Sequence, residues 1–247
     1  MRYLAVPVIV FAVVSCVLVR EAVAPTVSAE DLPAASQVIE RYIEALGGRP
    51  AIEGLKTRVC IGRMIYDLDW KRPPYEVVPV AGYATSTGKV LMVEHGADGI
   101  RCEGFDGRST WVQDAGGIQV REEPIRSKIA WLLDPRGALR LEAYFPGLHV
   151  TARENIDGRA LYVVEPEELD RAYYALYFDV ETGLLVRIGY YWEIEDYREV
   201  DGVLVPFRVD MSRKGGSTTL VLDLVRHNLP LEPGLFAPPG GVNTPAE

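Results

Sequence analysis

The chain has 247 residues, a net charge of −9, three cysteines and three histidines. So acidic a balance argues against a nucleic-acid partner, which needs a basic stripe. It also argues against electrostatic docking on anionic lipid, so that any membrane contact is transient or apolar. The length suits one β-rich domain that buries enough surface to need no disulfide.

The first predicted element is a leader. Arg2 precedes an apolar run from Tyr3 to Val19, and small residues ending in Val27-Ser28-Ala29 lead to Glu30-Asp31, the order of a secretory signal peptide. Residues 1–29 are read as that peptide, 30–237 as the folded domain and 238–247 as a disordered tail, which places the mature protein in the periplasm or outside the cell. Loss of Arg2, Arg20 and Glu21 with the leader takes the charge to −10. Two alternatives stay open. The apolar run could nearly span a bilayer, although Pro7 interrupts it. Val13-Val14-Ser15-Cys16 is a degenerate lipobox whose cysteine would carry a lipid anchor, although Val17-Leu18-Val19 continues the apolar run where a lipoprotein turns polar. Cys60 and Cys102 survive cleavage in strand-like segments with two strands between them, a separation that argues against a disulfide. No histidine or further cysteine stands at metal-ligand spacing.

Val38, Ile39, Tyr42, Ile43 and Leu46 recur at three- and four-residue steps, which predicts a helix over Ala34 to Leu46, stopped by Gly47-Gly48. Pro50 begins a short helical turn to Leu55. Beyond Lys56 the period changes to two. Asp106-Gly107, Asp157-Gly158, Thr182-Gly183 and Asp201-Gly202 separate apolar runs, and Asp-Gly suits tight hairpins because both central residues take positive φ. Hairpins imply an antiparallel sheet, with long runs at Thr57 to Tyr66, Ala160 to Glu165, Tyr173 to Asp179, Leu184 to Tyr197, Val203 to Arg213 and Ser217 to Arg226. Between Glu122 and Tyr144 the strand pattern breaks: Ile125, Ile129, Leu132 and Leu133 recur at helical spacing up to Asp134-Pro135, and Leu139, Leu141 and Tyr144 form a second short helix before Pro146. In the C-terminal half Leu184, Val186, Ile188, Tyr190, Trp192 and Ile194 share one face. Val203, Val205, Phe207, Val209 and Met211 repeat the alternation, as do Leu220, Leu222 and Leu224. One face of this sheet is apolar and the other wet.

Catalytic signatures are missing: the sequence holds no Gly-x-Ser-x-Gly elbow, no His-Glu-x-x-His helix and no Gly-x-x-x-x-Gly-Lys phosphate loop. His95 and His149 fall near strand ends, where a solvated role is expected, and His227 is expected to hydrogen-bond structurally after the last strand. Glu122-Glu123 and Glu167-Glu168 read as solvated loops, since neighbours in sequence do not flank a substrate. Tyr173, Tyr174, Tyr177 and Phe178 fit a strand better than a sugar-stacking surface. The chain is therefore read as a non-enzyme that needs no cofactor.

Val38-Ile39-Glu40-Arg41-Tyr42-Ile43-Glu44-Ala45-Leu46-Gly47-Gly48, Gly104-Phe105-Asp106-Gly107 with Trp111, Leu176-Tyr177-Phe178-Asp179 with Thr182-Gly183-Leu184, Asp196-Tyr197-Arg198-Glu199-Val200-Asp201-Gly202-Val203, and Val225-Arg226-His227-Asn228 follow one another along the chain. In that order and spacing they resemble the outer-membrane lipoprotein-sorting proteins of the LolA and LolB superfamily. The resemblance implies a mainly β (α+β) domain: a strongly curved, incompletely closed antiparallel half-barrel covered by a few short helices, its hollow sheltering acyl chains of a lipid or lipoprotein. The expected cavity residues are Ile125, Ile129, Leu132 and Leu133 from the lid, facing Tyr190, Trp192, Phe207, Met211 and Leu222. The same apolar row would also serve a side-chain-filled module that binds another envelope protein through an edge or loop. The small covering surface of the predicted helices favours a cavity.

Overall fold

The computed structural model describes residues 32–67, 76–121, 128–213 and 216–240; the leader with Cys16, Ile125 and residues 241–247 lie outside them. Helices α1 (Ala35–Ala45) and α2 (Arg49–Glu53) open the domain. The apolar stripe of α1 buries Val38, Tyr42 and Ile43. Gly47 and Gly48, at φ of 123° and 87°, end the helix, and a Cβ on Gly47 would stand 2.2 Å from the Gly202 carbonyl oxygen. This stop therefore serves both the turn and the close approach of a hairpin.

Thirteen strands follow: β1 (Thr57–Asp67), β2 (Glu76–Thr85), β3 (Val90–Gly96), β4 (Gly99–Phe105), β5 (Thr110–Asp114), β6 (Gly117–Arg121), β7 (His149–Ile156), β8 (Arg159–Glu165), β9 (Leu176–Asp179), β10 (Leu185–Ile188), β11 (Trp192–Val200), β12 (Val203–Arg213) and β13 (Gly216–His227). They form one antiparallel sheet in the order β6-β5-β4-β3-β2-β1-β13-β12-β11-β10-β9-β8-β7. Its two outermost strands do not meet, so the sheet is an open half-barrel. Each of the four predicted turns joins neighbouring strands, and Asp157-Gly158 and Asp201-Gly202 both have two residues of positive φ, 53° and 83°, and 54° and 78°, as tight hairpins require.

The turns β2–β3, β4–β5, β7–β8, β9–β10 and β11–β12 gather at one end of the sheet. Helix α1 docks there: Leu204 N donates to Leu46 O at 2.8 Å and Arg41 Nη2 donates to Glu181 O at 2.9 Å. The turns β3–β4, β5–β6 and β10–β11 lie at the opposite end, the mouth.

Three sequence expectations change. The run from Leu184 to Tyr197 is two strands, because Ile188 pairs with Trp192 across a turn at Gly189 (φ 57°). A Cβ on Gly189 would meet the Ala172 carbonyl oxygen at 2.5 Å, so glycine alone lets the chain reverse there. The run from Tyr173 begins as helix α5 (Arg171–Tyr174), capped by Asp170, whose Oδ1 accepts from Ala172 N at 2.8 Å; β9 starts after it. Finally, a bulge pairs Ile61 with Leu224 and then Gly62 with Leu222. Stepping over Asp223 shifts the alternation, so Leu222 and Val225 are buried while Leu224 is exposed.

The inner face of the sheet and the helices share one large core, reaching from Val90 on β3 to Val164 on β8. On the outer face of β2–β5 the chain after β13 returns as a strap ending in a 3₁₀ turn (Pro233–Phe236). Trp111 Nε1 donates to Phe236 O at 2.9 Å, and Gly104 leaves room for the indole, since a Cβ there would lie 2.5 Å from it. Cys60 and Cys102 are free thiols. Burial pushes the Cys60 thiol up to about 11.

Candidate functional site

The inner face of the half-barrel is crossed by a lid built from α3 (Lys128–Leu133), a 3₁₀ turn (Gly137–Arg140) and α4 (Leu141–Tyr144), at the position where helical spacing interrupts the strands. Met64, Val78 and Val80 on β1 and β2, Leu220 and Leu222 on β13, Phe207, Val209 and Met211 on β12, and Ile194 on β11 line that face as one packed row. Pairing sets the row: Met64 lies opposite Val78 and Leu220, Leu220 opposite Val209, and Met211 opposite Trp192.

Of the expected lining residues, Phe207, Met211, Leu222 and Leu133 are buried in this core, and Leu132 and Trp192 pack against it half-buried. Leu133 rests on β2 at Gly82, where a Cβ would stand 2.7 Å from its Cδ2. Tyr190 leaves the set: at 55% exposure it occupies the β10–β11 turn, its ring near Tyr191, which in turn lies 5.6 Å from Tyr173. Ile125 is outside the described residues, as is the side chain of Ile129 within α3.

Helical spacing in the sequence does not mark Trp131, a further residue that the lid buries. Trp131, 3% exposed, stands edge-to-face with Phe145, ring centroids 5.8 Å apart. Its Nε1–H finds no acceptor among the described residues, although burying an unpartnered donor costs about 1–3 kcal/mol. The void beside it is about 40 Å³ and is also lined by Tyr42, Arg58 and Asp134.

What holds the lid is polar. Arg58, buried on β1, donates from Nη1 to Leu132 O at 2.9 Å and from Nε to His227 Nε2 at 3.0 Å. Because His227 Nε2 accepts, its Nδ1 carries the proton toward Asp201 Oδ2 at 3.2 Å. Burial, reinforced by the Arg58 charge and opposed by Asp201, depresses His227 to about 4, and burial lowers Arg58. Arg136 donates to the carbonyls of Leu55 and Glu53. Arg140 donates to Ser86 O at 3.0 Å and pairs with the buried Asp134, which also accepts from Tyr144 at 3.2 Å. Among the described residues, the backbone hydrogen bonds of 128–145 stay within that segment. The lid is fastened to the barrel by three arginine side chains rather than by a strand ladder. Nothing in the sequence marked Arg58 as buried.

At the mouth a groove of about 690 Å³ runs past Tyr66, Val78, Glu94 and Arg101. Tyr66 donates to Glu94 Oε2 at 3.1 Å, and burial beside that carboxylate pushes the phenol up to about 12. Among the described residues no group of three side chains is placed to hold a metal ion.

This open sheet with helices laid across its hollow recurs in solved structures. The fold is shared with a LolA superfamily protein. A LolA superfamily protein from Nitrosomonas europaea superposes with a TM-score of 0.54 at 15% identity, over 84% of this chain and 99% of its own. A DUF1329 family protein from Desulfovibrio piger gives 0.53 at 14% identity, over 81% and 96%. A domain assigned to outer membrane lipoprotein sorting, from Vibrio parahaemolyticus, gives 0.50 at 16% identity, over 82% and 97%. No protein-family model and no curated protein matches the sequence.

Proposed function

We propose that this chain is a periplasmic carrier or receptor that shelters lipid acyl chains, of a lipoprotein or another lipid, in the hollow beneath its lid. The observation that carries the reading is the lid's mode of attachment. Trp131 and Leu133 occupy an apolar face, yet the segment bearing them is tied down by arginine-to-carbonyl bonds and not by a sheet ladder. Opening exposes the row from Met64 to Met211, and an acyl chain replaces the lid's side chains at about 25 cal/mol per Å² of apolar surface removed from water. The arginine contacts, with Arg58 at their centre, set the free-energy difference between closed and open states that a ligand must outbid. No step calls for a nucleophile or a cofactor. The lipoprotein-sorting assignment of a relative of the same fold supports this ligand class and compartment.

A second reading has its own observation: the burial of the row from Met64 to Met211 also fits a permanently packed module that presents an edge to an envelope protein partner. Trp192→Ala separates the two. For a carrier, affinity for a fluorescent fatty acid falls at least tenfold while stability falls modestly, because part of the lost contact is with ligand. Loss of roughly 3 kcal/mol of stability or more, with no affinity for the fatty acid in either protein, overturns the carrier in favour of the module.

A further inference from the structure

At the helix-capped end, on the side away from the mouth, a cleft of about 440 Å³ lies between the start of β1, the β2–β3 turn and the C-terminal strap. Its size is that of a small-ligand site. Both lysines whose side chains the structure describes, Lys56 and Lys89, line it. Neither makes an ion pair among the described residues, whereas most arginines of this acidic chain are paired with carboxylates or carbonyls.

The cleft's walls are fastened to each other. Lys56 N donates to Asn228 Oδ1 at 2.7 Å, with Asn228 at φ 59° turning the chain out of β13. Asn228 N donates back to Thr57 O, and Thr57 Oγ1 donates to Leu229 O at 2.7 Å. On the other wall Ser86 N donates to Lys56 O at 2.7 Å, and Lys89 N donates to Thr85 Oγ1 at 3.2 Å. The floor is Phe236, held by Trp111. Lys56 and Lys89 therefore line a cleft whose walls are fixed to each other, together with one carboxylate, Glu232, and the exposed apolar Leu229.

We propose that this cleft binds a phosphate group, the two lysines supplying point charges, with Leu229 and Pro230 covering an apolar portion of the ligand. Phosphate suits lysine's compact, multiply donating ammonium, and a preformed frame lowers the cost of ordering the site. The site is separate from the hollow and does not depend on the acyl-carrier reading. The same phosphate chemistry is offered by free phosphate and by a phospholipid headgroup.

The test titrates the full mature chain and its Lys56→Ala/Lys89→Ala variant, by backbone amide NMR, with inorganic phosphate and with dihexanoyl-phosphatidylglycerol below its micelle concentration. Dihexanoyl-phosphatidylcholine and a glutamate peptide serve as controls. Shifts at Thr87, Lys89 and Asn228, with affinity about 30-fold weaker in the variant at about fivefold per lysine, are expected. Tighter binding of the glycerolipid than of inorganic phosphate identifies a headgroup as the source, and the reverse a free phosphate. Equal affinity in wild type and variant, no shift with either phosphate, or preference for the glutamate peptide overturns the proposal. An unchanged amide spectrum away from the cleft certifies that the variant folds.

Discussion

Truncating Trp131 probes both the packing and the role of the lid. Removing a buried aromatic side chain costs roughly 3–5 kcal/mol, and its edge-to-face contact with Phe145 adds about 0.5–1.5 kcal/mol. Against this, Trp131→Ala also deletes an indole N–H that lacks an acceptor among the described residues, returning about 1–3 kcal/mol. The net loss is about 3 kcal/mol, near 1 M in the urea midpoint for a chain of this size with a slope of roughly 3 kcal/mol per M. Trp131→Phe keeps the ring contact and removes the orphan donor, so it should stay within about 1 kcal/mol of wild type. Fatty-acid affinity should move the other way in Trp131→Ala, rising about tenfold for each 1.4 kcal/mol of lid docking removed. Equilibrium urea unfolding and fluorescent fatty-acid titration on the three proteins measure both quantities. A Phe variant as unstable as the Ala variant would refute the unpartnered N–H, and an affinity that falls with stability would refute competition between lid and ligand.

Because His227 sits near 4 when folded against about 6.5 unfolded, the unfolded chain takes up the proton first. The contribution of His227 is full above pH 6.5 and lost as pH falls toward 4. The loss is on the order of 2 kcal/mol once partial solvent screening is allowed for, and the stability difference between wild type and His227→Gln at pH 7 and pH 4.5 should show it; a constant difference contradicts the buried neutral ring. Gly104→Ala drives a methyl into the Trp111 indole and should cost about 1–3 kcal/mol with a shift in tryptophan emission, whereas an unchanged melting curve would mean that the strap is not packed as described. Tyr190→Ser, in an exposed turn, should leave stability within about 0.5 kcal/mol and fatty-acid affinity unchanged, and a tenfold loss of affinity would restore it to the ligand surface.

The elements that follow a single period were readable in advance. Val203 to Met211 alternates without interruption and is buried at every second residue, and the α1 stripe and its glycine stop need only local rules. The misreadings share one physical origin, an irregularity that reverses or shifts the pleat. Gly189 turns a run of apparent alternation into a hairpin, and the run's length, well beyond the usual five or six residues of a strand, was the available signal. The bulge over Asp223 moves Leu224 outward, and one charged residue inside an apolar alternation gives little notice of it. Trp131 falls off the stripe of Leu132 and Leu133 because a helix of six residues, lying between β2 and the 3₁₀ turn that follows it, is covered on more than one side. Arg58 is the extreme case: an arginine in a strand reads as solvated until a fold delivers the Leu132 carbonyl and the His227 ring to it.

The central claim is that the hollow receives acyl chains. Its most direct test is native mass spectrometry of the mature protein purified without detergent, followed by extraction and identification of what it carries. The account predicts an adduct of lipid mass, displaced by added fatty acid and depleted in Trp192→Ala. Protein of bare polypeptide mass, with no uptake of fatty acid even when Arg58→Met loosens the lid, would contradict it.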